Sequence, residues 1–244
     1  MNDVRVSVCM ATYNGAAFVG EQIRSILSEL EPQDELVVVD DASRDDTLDV
    51  IRRIADPRIV LHPRDVNRGY VRTFEEAMQL AGGDVVMLAD QDDVWIPGRR
   101  ELFVRALQEG AVAASNLVLL GSDAPLPSPL RRVPWRLSAR RSRQRLRNEL
   151  RILAGIAPYF GCAMAMRRDV VDRVLPFPGF LTESHDLWLA TFGNAHGLLV
   201  HIEQPTIRRR LHADNTSPSR PRGPAAVLRA RWMLLRAWRE ALRR

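Results

Sequence analysis

Val85-Val86-Met87-Leu88-Ala89-Asp90-Gln91-Asp92-Asp93-Val94-Trp95 is the stretch on which the reading of this chain turns. Its apolar run reads as a strand buried on both faces, the habit of a parallel sheet. It ends in three carboxylates within four residues. At the end of a buried strand these repel one another unless a cation or a donor-rich ligand neutralises them. The C-terminal ends of strands are also where open α/β sheets bind ligands. Asp90-Gln91-Asp92 therefore reads as a site for a divalent metal carrying a phosphorylated ligand. The plainer alternative is an acidic turn capping the helix that Pro97 opens.

Upstream, the same grammar repeats. Val4 to Ala11 alternates into a first strand, and Thr12-Tyr13-Asn14-Gly15 is a turn whose Asn and Gly tolerate left-handed backbone. Val19, Ile23, Ile26, Leu27 and Leu30 fall at helical spacing, and the helix stops before Pro32. Leu36 to Val39 is a second buried strand that ends in Asp40-Asp41, with Ser43 or Asp45 as the cap of the next helix. Arg58 to His62 is a short third strand. Asn67-Arg68-Gly69 turns into a helix with Val71, Phe74, Met78 and Ala81 inward, stopped at Gly82-Gly83. This β-α-β-α-β-α-β order indicates a doubly wound parallel sheet with right-handed crossovers. The first turn is not the glycine fingerprint of dinucleotide binding.

Downstream, Pro97 opens a helix to about Glu109, and Val112 to Leu120 reads as a strand. Asp123 to Pro134 is proline-rich and irregular. A polar, arginine-rich helix spans Ser142 to Leu153. Gly161 to Met166 is a strand of small and flexible residues suited to lying under a ligand. A short helix follows from Asp169. Glu183-Ser184-His185-Asp186 leads into another, and two further strands run over Leu198 to Ile202 and Thr206 to Leu211. Asn215 to Pro224 reads as a linker. Beyond it Val227, Leu228, Trp232, Leu235, Trp238 and Leu242 recur on one helical face among arginines. The division expected is a single catalytic domain over 1–216, with a nucleotide-binding half to residue 100 and an acceptor-binding half from 101. A linker and basic amphipathic helix occupy 217–244.

Composition narrows the function classes. In 244 residues, 46% are hydrophobic and 27% charged, which fits a soluble globular protein. No apolar run approaches a membrane span, and no signal peptide precedes the first strand. Cys9 and Cys162 match no metal-ligand spacing, so a reduced, cytoplasmic compartment is expected. The net charge is +5, and all 35 Lys+Arg positions are arginine. Basic residues concentrate in 131–151 and 229–244, which could meet anionic lipid or nucleic acid or form solvated helix faces. No nucleic-acid recognition motif accompanies them.

Four motifs now stand in order: Val6 to Gly15, Val39-Asp40-Asp41-Ala42-Ser43, Asn67-Arg68-Gly69, and Ala89 to Trp95. Together they resemble the family 2 glycosyltransferases, inverting enzymes of the GT-A fold. Gly161-Cys162, His185 to Ala190 and Arg210 to Asn215 look like the rhamnosyltransferase-type branch, which adds sugars to bacterial surface polysaccharides. The resemblance covers residues 4 to 216, with no usable match over Gly121 to Tyr159. It implies an α/β, GT-A type nucleotide-diphospho-sugar transferase fold: a mostly parallel, Rossmann-like sheet flanked by helices, here with a C-terminal helical tail.

Carried over by position, the resemblance places Ala11, Thr12 and Tyr13 on the nucleotide, with Asp41 accepting from the base N–H and Arg68 nearby. Asp90 would face ribose and diphosphate. Asp92 would bind Mg2+ or Mn2+, with His212 a second metal ligand or diphosphate contact. Asp186 would be the general base. Asp93, Trp95, His185 and Arg210 would lie on the diphosphate or acceptor side. The donor implied is a UDP- or dTDP-linked sugar, and the acceptor a glycan or lipid-linked sugar.

The chemistry is consistent with that assignment. Inverting transfer needs the acceptor hydroxyl deprotonated on one face while the nucleoside diphosphate leaves from the other. A carboxylate serves the first need and a hard cation the second. The helix starting at Asp186 would aim its dipole at that carboxylate and keep it ionised. Each residue also has a plainer reading. Asp41 and Asp186 suit helix or turn caps, His212 an ordinary histidine, and Trp95 and Trp188 core residues. His185 and Arg209 depart from the branch pattern, which has Glu and an aromatic at those places. A sugar nucleotidyltransferase or an inactive binding module are the competing functions. The tail helix fits an anionic membrane surface, or docks on the domain or a second subunit.

Overall fold

The computed structural model describes residues 4–128, 135–212 and 223–244. Residues 215–222 of the linker expected over 215–224, and the end of the proline-rich stretch, 129–134, lie outside the described residues. The first half follows the expected alternation: β1 Val6–Thr12, α1 Val19–Leu27, β2 Glu35–Asp40, α2 Thr47–Ile54, β3 Ile59–Pro63, α3 Tyr70–Leu80 and β4 Val85–Asp90. After β4 come β5 Val94–Trp95, α4 Arg99–Ala106, β6 Val112–Leu119, α5 Arg145–Ala154, β7 Met164–Arg167 and α6 Arg168–Val174. The chain closes with α7 His185–Ala195, β8 Leu199–Arg209 and α8 Pro224–Ala241.

The eight strands among the described residues form one sheet in the order β3-β2-β1-β4-β7-β6-β8-β5. The first four are parallel, whereas β7 runs antiparallel to both β4 and β6. The period-2 alternation of a strand divides the core in two. Val6, Val8, Met10, Leu36, Val38, Val85, Met87 and Ala89 face α1, α2 and α4. Cys9, Val37, Val39, Val86 and Leu88 face α3, α6 and α7.

Register fixes where loops emerge. Ala11 pairs with Asp90, and Thr12 with Asp40. The carboxylates after β2 and β4 and the turn after β1 therefore gather at one edge of the sheet. Asn14 takes the left-handed backbone expected of that turn, with φ of 48°. Ser43 and Asp45 do not cap α2 in the expected manner. Ser43 instead donates to Asp40 and accepts from the Asn14 N–H at 2.9 Å, while Asp45 accepts from the Ala16 and Thr47 N–H groups at 3.1 Å. Both residues tie the two loops together.

Three expectations need correction. The helix after Pro97 begins at Arg99, because Gly98 takes a left-handed φ of 85° first. Gly161 to Ala163 is a 3-10 turn, and only Met164 onward is strand. The two strands expected over 198–211 are one, β8, with an irregular register against β6 around Asn116. Pro205 has no N–H to give a ladder there. The Asn116 side-chain amide compensates, donating to the Glu203 carbonyl at 2.9 Å and accepting from Leu137 N–H at 2.7 Å.

The tail differs most. Helix α8 buries Met233, Leu234, Ala237 and Ala241 in the first core cluster, packing on α7 and α5. Two large buried side chains contribute roughly 1.5–3 kcal/mol each, enough to hold the helix on the domain. The apolar face expected to meet a membrane surface or to dock on protein, with Leu228, Trp232 and Leu235, is exposed.

Candidate active site

A cavity of about 720 Å³ opens at the sheet edge where β1, β2 and β4 end. Its wall includes Ala11, Thr12, Tyr13, Asp41, Asp90, Asp92, His185, Asp186 and His212. Nine positions expected at the site thus share one cavity, although they are spread along the chain from Ala11 to His212. Asn67, Tyr70, Thr73, Gln91, Phe160 and Arg209 line it as well.

Gln91, the middle residue of the acidic motif, builds the floor. Its Oε1 accepts from Tyr13 N–H at 2.9 Å and its Nε2 donates to the Tyr13 carbonyl at 3.1 Å. That clamp lies where a side chain at position 15 would point: a Cβ on Gly15 would stand 2.2 Å from Gln91 Oε1. Gln22 Nε2 holds the Asp90 carbonyl from behind at 2.8 Å. The β1 turn and the acidic loop therefore form one unit.

Asp41 is 3% exposed and already well occupied. It accepts from the backbone N–H groups of Arg68 and Gly69 at 2.8 Å each, and from Arg64 Nη1 at 3.0 Å. It fastens the 67–69 turn under α3, so any bond to a nucleotide base adds to a structural duty. The Arg68 side chain is exposed and off the cavity wall; its contribution is its backbone.

The acidic loop separates into two functions. Asp92 reaches across to His212, whose Nε2 lies 2.7 Å from Asp92 Oδ2. Pairing of β5 with β8 delivers His212 there, with Val94 opposite Arg208. Asp93 turns inward, off the cavity wall and 2% exposed. Burial pushes its carboxyl up to about 8, and the nearby Asp90 and Asp92 push the same way. Burial first and Asp92 second raise Asp90 to about 6. Asp90, Asp93 and Cys162 form a group able to hold an ion, their ligand atoms all within 4.8 Å of one another. The Cys162 thiol is driven well above its ordinary value by burial and by these carboxylates. A protonated soft thiol is a poor partner for Mg2+ or Mn2+. The Asp92 carboxylate and the His212 imidazole beside it are the chemically better pair, since hard oxygens suit both metals and Mn2+ also accepts imidazole.

Beside Arg68 and Asp93, two more expected residues do not reach the cavity. Trp95 is core, its ring under the guanidinium of the buried Arg99 at 4.5 Å. Arg210 points away, with Nη2 on Glu21 at 2.5 Å, Nε on the Asp92 carbonyl at 3.1 Å and its N–H on Asp93. Its neighbour Arg209 lines the cavity instead. Although burial opposes its charge, the carboxylates of Asp90, Asp93 and Asp92 hold that guanidinium protonated. Adjacent strand residues point to opposite faces, and the two arginines divide accordingly.

Asp186 stands in the first turn of α7, entered through Ser184 in a left-handed conformation with φ of 59°. Its Oδ1 accepts from Leu187 N–H at 2.8 Å. The helix dipole does not win, contrary to expectation. Burial dominates and raises the carboxyl to about 6, with Asp90 adding to the shift. A carboxylate tuned towards neutrality is a better proton acceptor than one near its ordinary value. His185 is stacked on Phe74 at 4.4 Å between ring centroids, and neither ring nitrogen has a hydrogen-bond partner among the described residues. Burial drops its pKa to about 3, so the ring is neutral. Gly161 is required beneath it: a Cβ there would lie 2.8 Å from His185 Nε2.

Residues 7–175 match the glycosyl transferase family 2 model. Among curated relatives, an Escherichia coli UDP-Glc:alpha-D-GlcNAc-diphosphoundecaprenol beta-1,3-glucosyltransferase is 28% identical over 46% of this chain and 45% of its own length. The succinoglycan biosynthesis protein ExoO of Rhizobium meliloti is 35% identical over 48% of this chain and 34% of its own. The chain thus spans less than half the length of these relatives. Among solved structures, S. aureus TarS in complex with UDP-GlcNAc superimposes with a TM-score of 0.73 at 17% identity, covering 96% of this chain and 66% of that one. Such a likeness supports the fold, a GT-A arrangement of a curled α/β sheet. With the family model covering well over half of its length, the chain belongs to glycosyl transferase family 2.

Proposed function

We propose that this chain transfers a sugar, with inversion, from a nucleoside-diphosphate sugar to a hydroxyl of a glycan or lipid-linked acceptor in bacterial surface-polysaccharide synthesis. The observation that carries the reading is the sharing of one cavity by Asp186 and the Asp90-Gln91-Asp92 motif. Relatives named for teichuronic acid and succinoglycan biosynthesis support the pathway class. UDP is the favoured nucleotide because TarS was solved with UDP-GlcNAc, and dTDP-rhamnose is the donor that the branch resemblance adds.

In this reading the nucleoside rests on Tyr13, Asn67 and the loop that Asp41 secures. The diphosphate lies between Asp92 with His212 and the guanidinium of Arg209. The acceptor hydroxyl passes its proton to an Asp186 carboxylate oxygen as its own oxygen bonds to the sugar C1. The C1–O bond to the diphosphate breaks on the opposite face, and the nucleoside diphosphate leaves with the electron pair. A bound Mg2+ or Mn2+ supplies charge stabilisation of that leaving group. Arg209 contributes to the same end as a fixed cation in a partly dry site. His185, neutral and apolar in its packing, walls the acceptor side and keeps water from Asp186.

A screen of UDP- and dTDP-sugars for donor hydrolysis, with and without Mn2+ or Mg2+, tests the reading. Metal-dependent hydrolysis of at least one donor, lost in Asp92→Asn, is the expected result. Turnover of a sugar phosphate with a nucleoside triphosphate instead would replace it with nucleotidyl transfer.

A further inference from the structure

Docking of α8 leaves an unpartnered face that the transfer chemistry does not use. With Met233, Leu234, Ala237 and Ala241 against the domain, the opposite side of the helix carries Leu228, Trp232, Leu235 and Leu242. At 100° per residue these four fall within about 80° of one another, centred opposite the buried face. Leu228 is 72% exposed, Trp232 63% and Leu242 60%. A tryptophan and three leucines on one exposed stripe exceed the scattered apolar residues normal on a surface.

Charge frames the stripe. Arg229, Arg236, Arg239 and Arg243 lie on or beside it, whereas α8 has a single acidic residue, Glu240. Helix α5 packs next to α8, where the Arg231 guanidinium donates to the Ala154 carbonyl at 3.1 Å. That neighbour exposes Leu146 and Leu150 among Arg143, Arg147 and Arg151. The fold therefore brings the two basic stretches of the sequence side by side, each with exposed apolar residues. An apolar stripe edged with arginine matches an anionic lipid interface, where rings and leucines enter the acyl boundary and guanidiniums meet phosphate headgroups.

The surface also reaches the catalytic side. A groove of about 980 Å³ beside α8 is walled by Phe180, Thr182 and Glu183 together with Leu228, Trp232 and Arg236. Arg236 stacks over the Phe180 ring at 4.1 Å. The next three residues of that segment, Ser184, His185 and Asp186, line the active-site cavity. One strand of chain thus has its first part on the groove and its last part at the candidate base.

We propose that the exposed faces of α8 and α5 form a peripheral docking surface for an anionic phospholipid bilayer, orienting the acceptor side of the cavity towards the membrane. No helix among the described residues is long and apolar enough to cross a membrane, so attachment is interfacial. The proposal deepens the lipid-linked-acceptor reading, on which its biological purpose rests, but its test reads binding without turnover.

The full chain is sedimented with vesicles of equal parts phosphatidylglycerol and phosphatidylcholine, and with pure phosphatidylcholine. It is expected to pellet with the anionic vesicles and to remain in solution with the neutral ones. The Leu228→Glu/Trp232→Glu/Leu235→Glu variant should lose about tenfold or more of its affinity, with an unchanged melting temperature and unchanged hydrolysis of a soluble donor. Because those side chains are exposed, the variant is expected to fold; Arg236→Glu/Arg239→Glu provides an independent charge test. Failure of the wild type to bind anionic vesicles, or equal binding by both variants, overturns the proposal. So does a concentration-dependent dimer that the triple variant abolishes, since a second copy would then own the face. Loss of donor turnover with intact vesicle binding would instead count against the transferase reading alone.

Discussion

His212 Nε2 and Asp92 Oδ2 lie 2.7 Å apart although 120 residues separate them in the chain. Strand pairing achieves this. β5 follows the acidic loop directly and lies antiparallel to the end of β8, so the residues beyond Arg209 return over Asp92. Phe18 steadies the imidazole by stacking, with 4.6 Å between ring centroids. Two donor atoms facing each other across such a gap are an arrangement that a divalent ion can open and occupy.

Removal of either partner should therefore change the metal requirement before it changes anything else. His212→Ala is expected to raise the Mn2+ concentration for half-maximal donor turnover by on the order of ten- to a hundredfold. Asp92→Asn should lose metal-stimulated turnover almost entirely. Titration of Mn2+ against donor hydrolysis reads both. Metal dependence identical to wild type in the two variants would show that the ion, if any, sits elsewhere.

Asp186→Asn separates chemistry from binding. The amide keeps the shape and the hydrogen bond from Leu187 N–H but cannot take a proton. Turnover should drop by ~10²–10⁴, the range of a general base, while donor affinity measured by calorimetry stays within about twofold. Equal losses in affinity and turnover would mean that Asp186 only shapes the site.

The same carboxylate sets a pH profile. Burial first, and Asp90 after it, hold Asp186 up at about 6. A base works only when ionised, so kcat/KM should fall as pH drops through about 6 and level off above it. Cation binding beside Asp90 would lower the inflection, because it cancels the carboxylate that helps raise it. An inflection that persists unchanged in Asp186→Asn would assign it to another group.

Why these residues were legible, and others not, follows from how each signal arises. β1 to β4 announce themselves by apolar runs, and carboxylates at their ends stand out because charge after a buried strand is costly. That logic pointed to Asp41, Asp90 and Asp92 without a structure, whereas Asp186 came from the family resemblance. Arg209 was passed over for Arg210 because a one-residue choice of face depends on β8 pairing, which no local pattern encodes. Gln91 and Gln22 act through backbone atoms of distant loops, and amide side chains carry no charge signal. Trp95 was drawn towards the site by sequence adjacency, yet β5 turns it into the core. On α8 the larger apolar residues left membrane contact and docking open, and it is the face with small Ala237 and Ala241 that approaches α7.

Asp41 offers a stability test distinct from catalysis. Its carboxylate receives two backbone N–H groups and Arg64, whose guanidinium also reaches Glu76 at 2.5 Å. Asp41→Ala leaves two N–H donors without their acceptor and Arg64 with Glu76 as its remaining carboxylate, a loss of about 1–3 kcal/mol. Denaturant titration should record it. Nucleotide affinity should fall as well, since the 67–69 turn and the cavity wall are fastened by this group. A variant of near wild-type stability would argue that the three bonds do little in the folded state.

His185 gives the sharpest sign. Its folded pKa is about 3 against an ordinary 6.5, because burial disfavours the cation. Between those values the unfolded chain binds the extra proton, so this group stabilises the fold fully above the unfolded value and loses that contribution as pH falls. From about pH 7 to about pH 5 the loss is roughly 2 kcal/mol. Asp186 works in the opposite sense. Its raised pKa makes the folded chain the stronger proton binder from the ordinary 3.8 up to about 6, which recovers part of that loss on acidification. His185→Leu removes the first effect and leaves the second. Whatever its stability at neutral pH, the variant should be less acid-sensitive than wild type by about 2 kcal/mol over that interval. Chemical denaturation of both chains at the two pH values measures it. Equal acid sensitivity would mean that His185 is protonated or hydrated in the folded chain, and the apolar wall beside Asp186 would have to be abandoned.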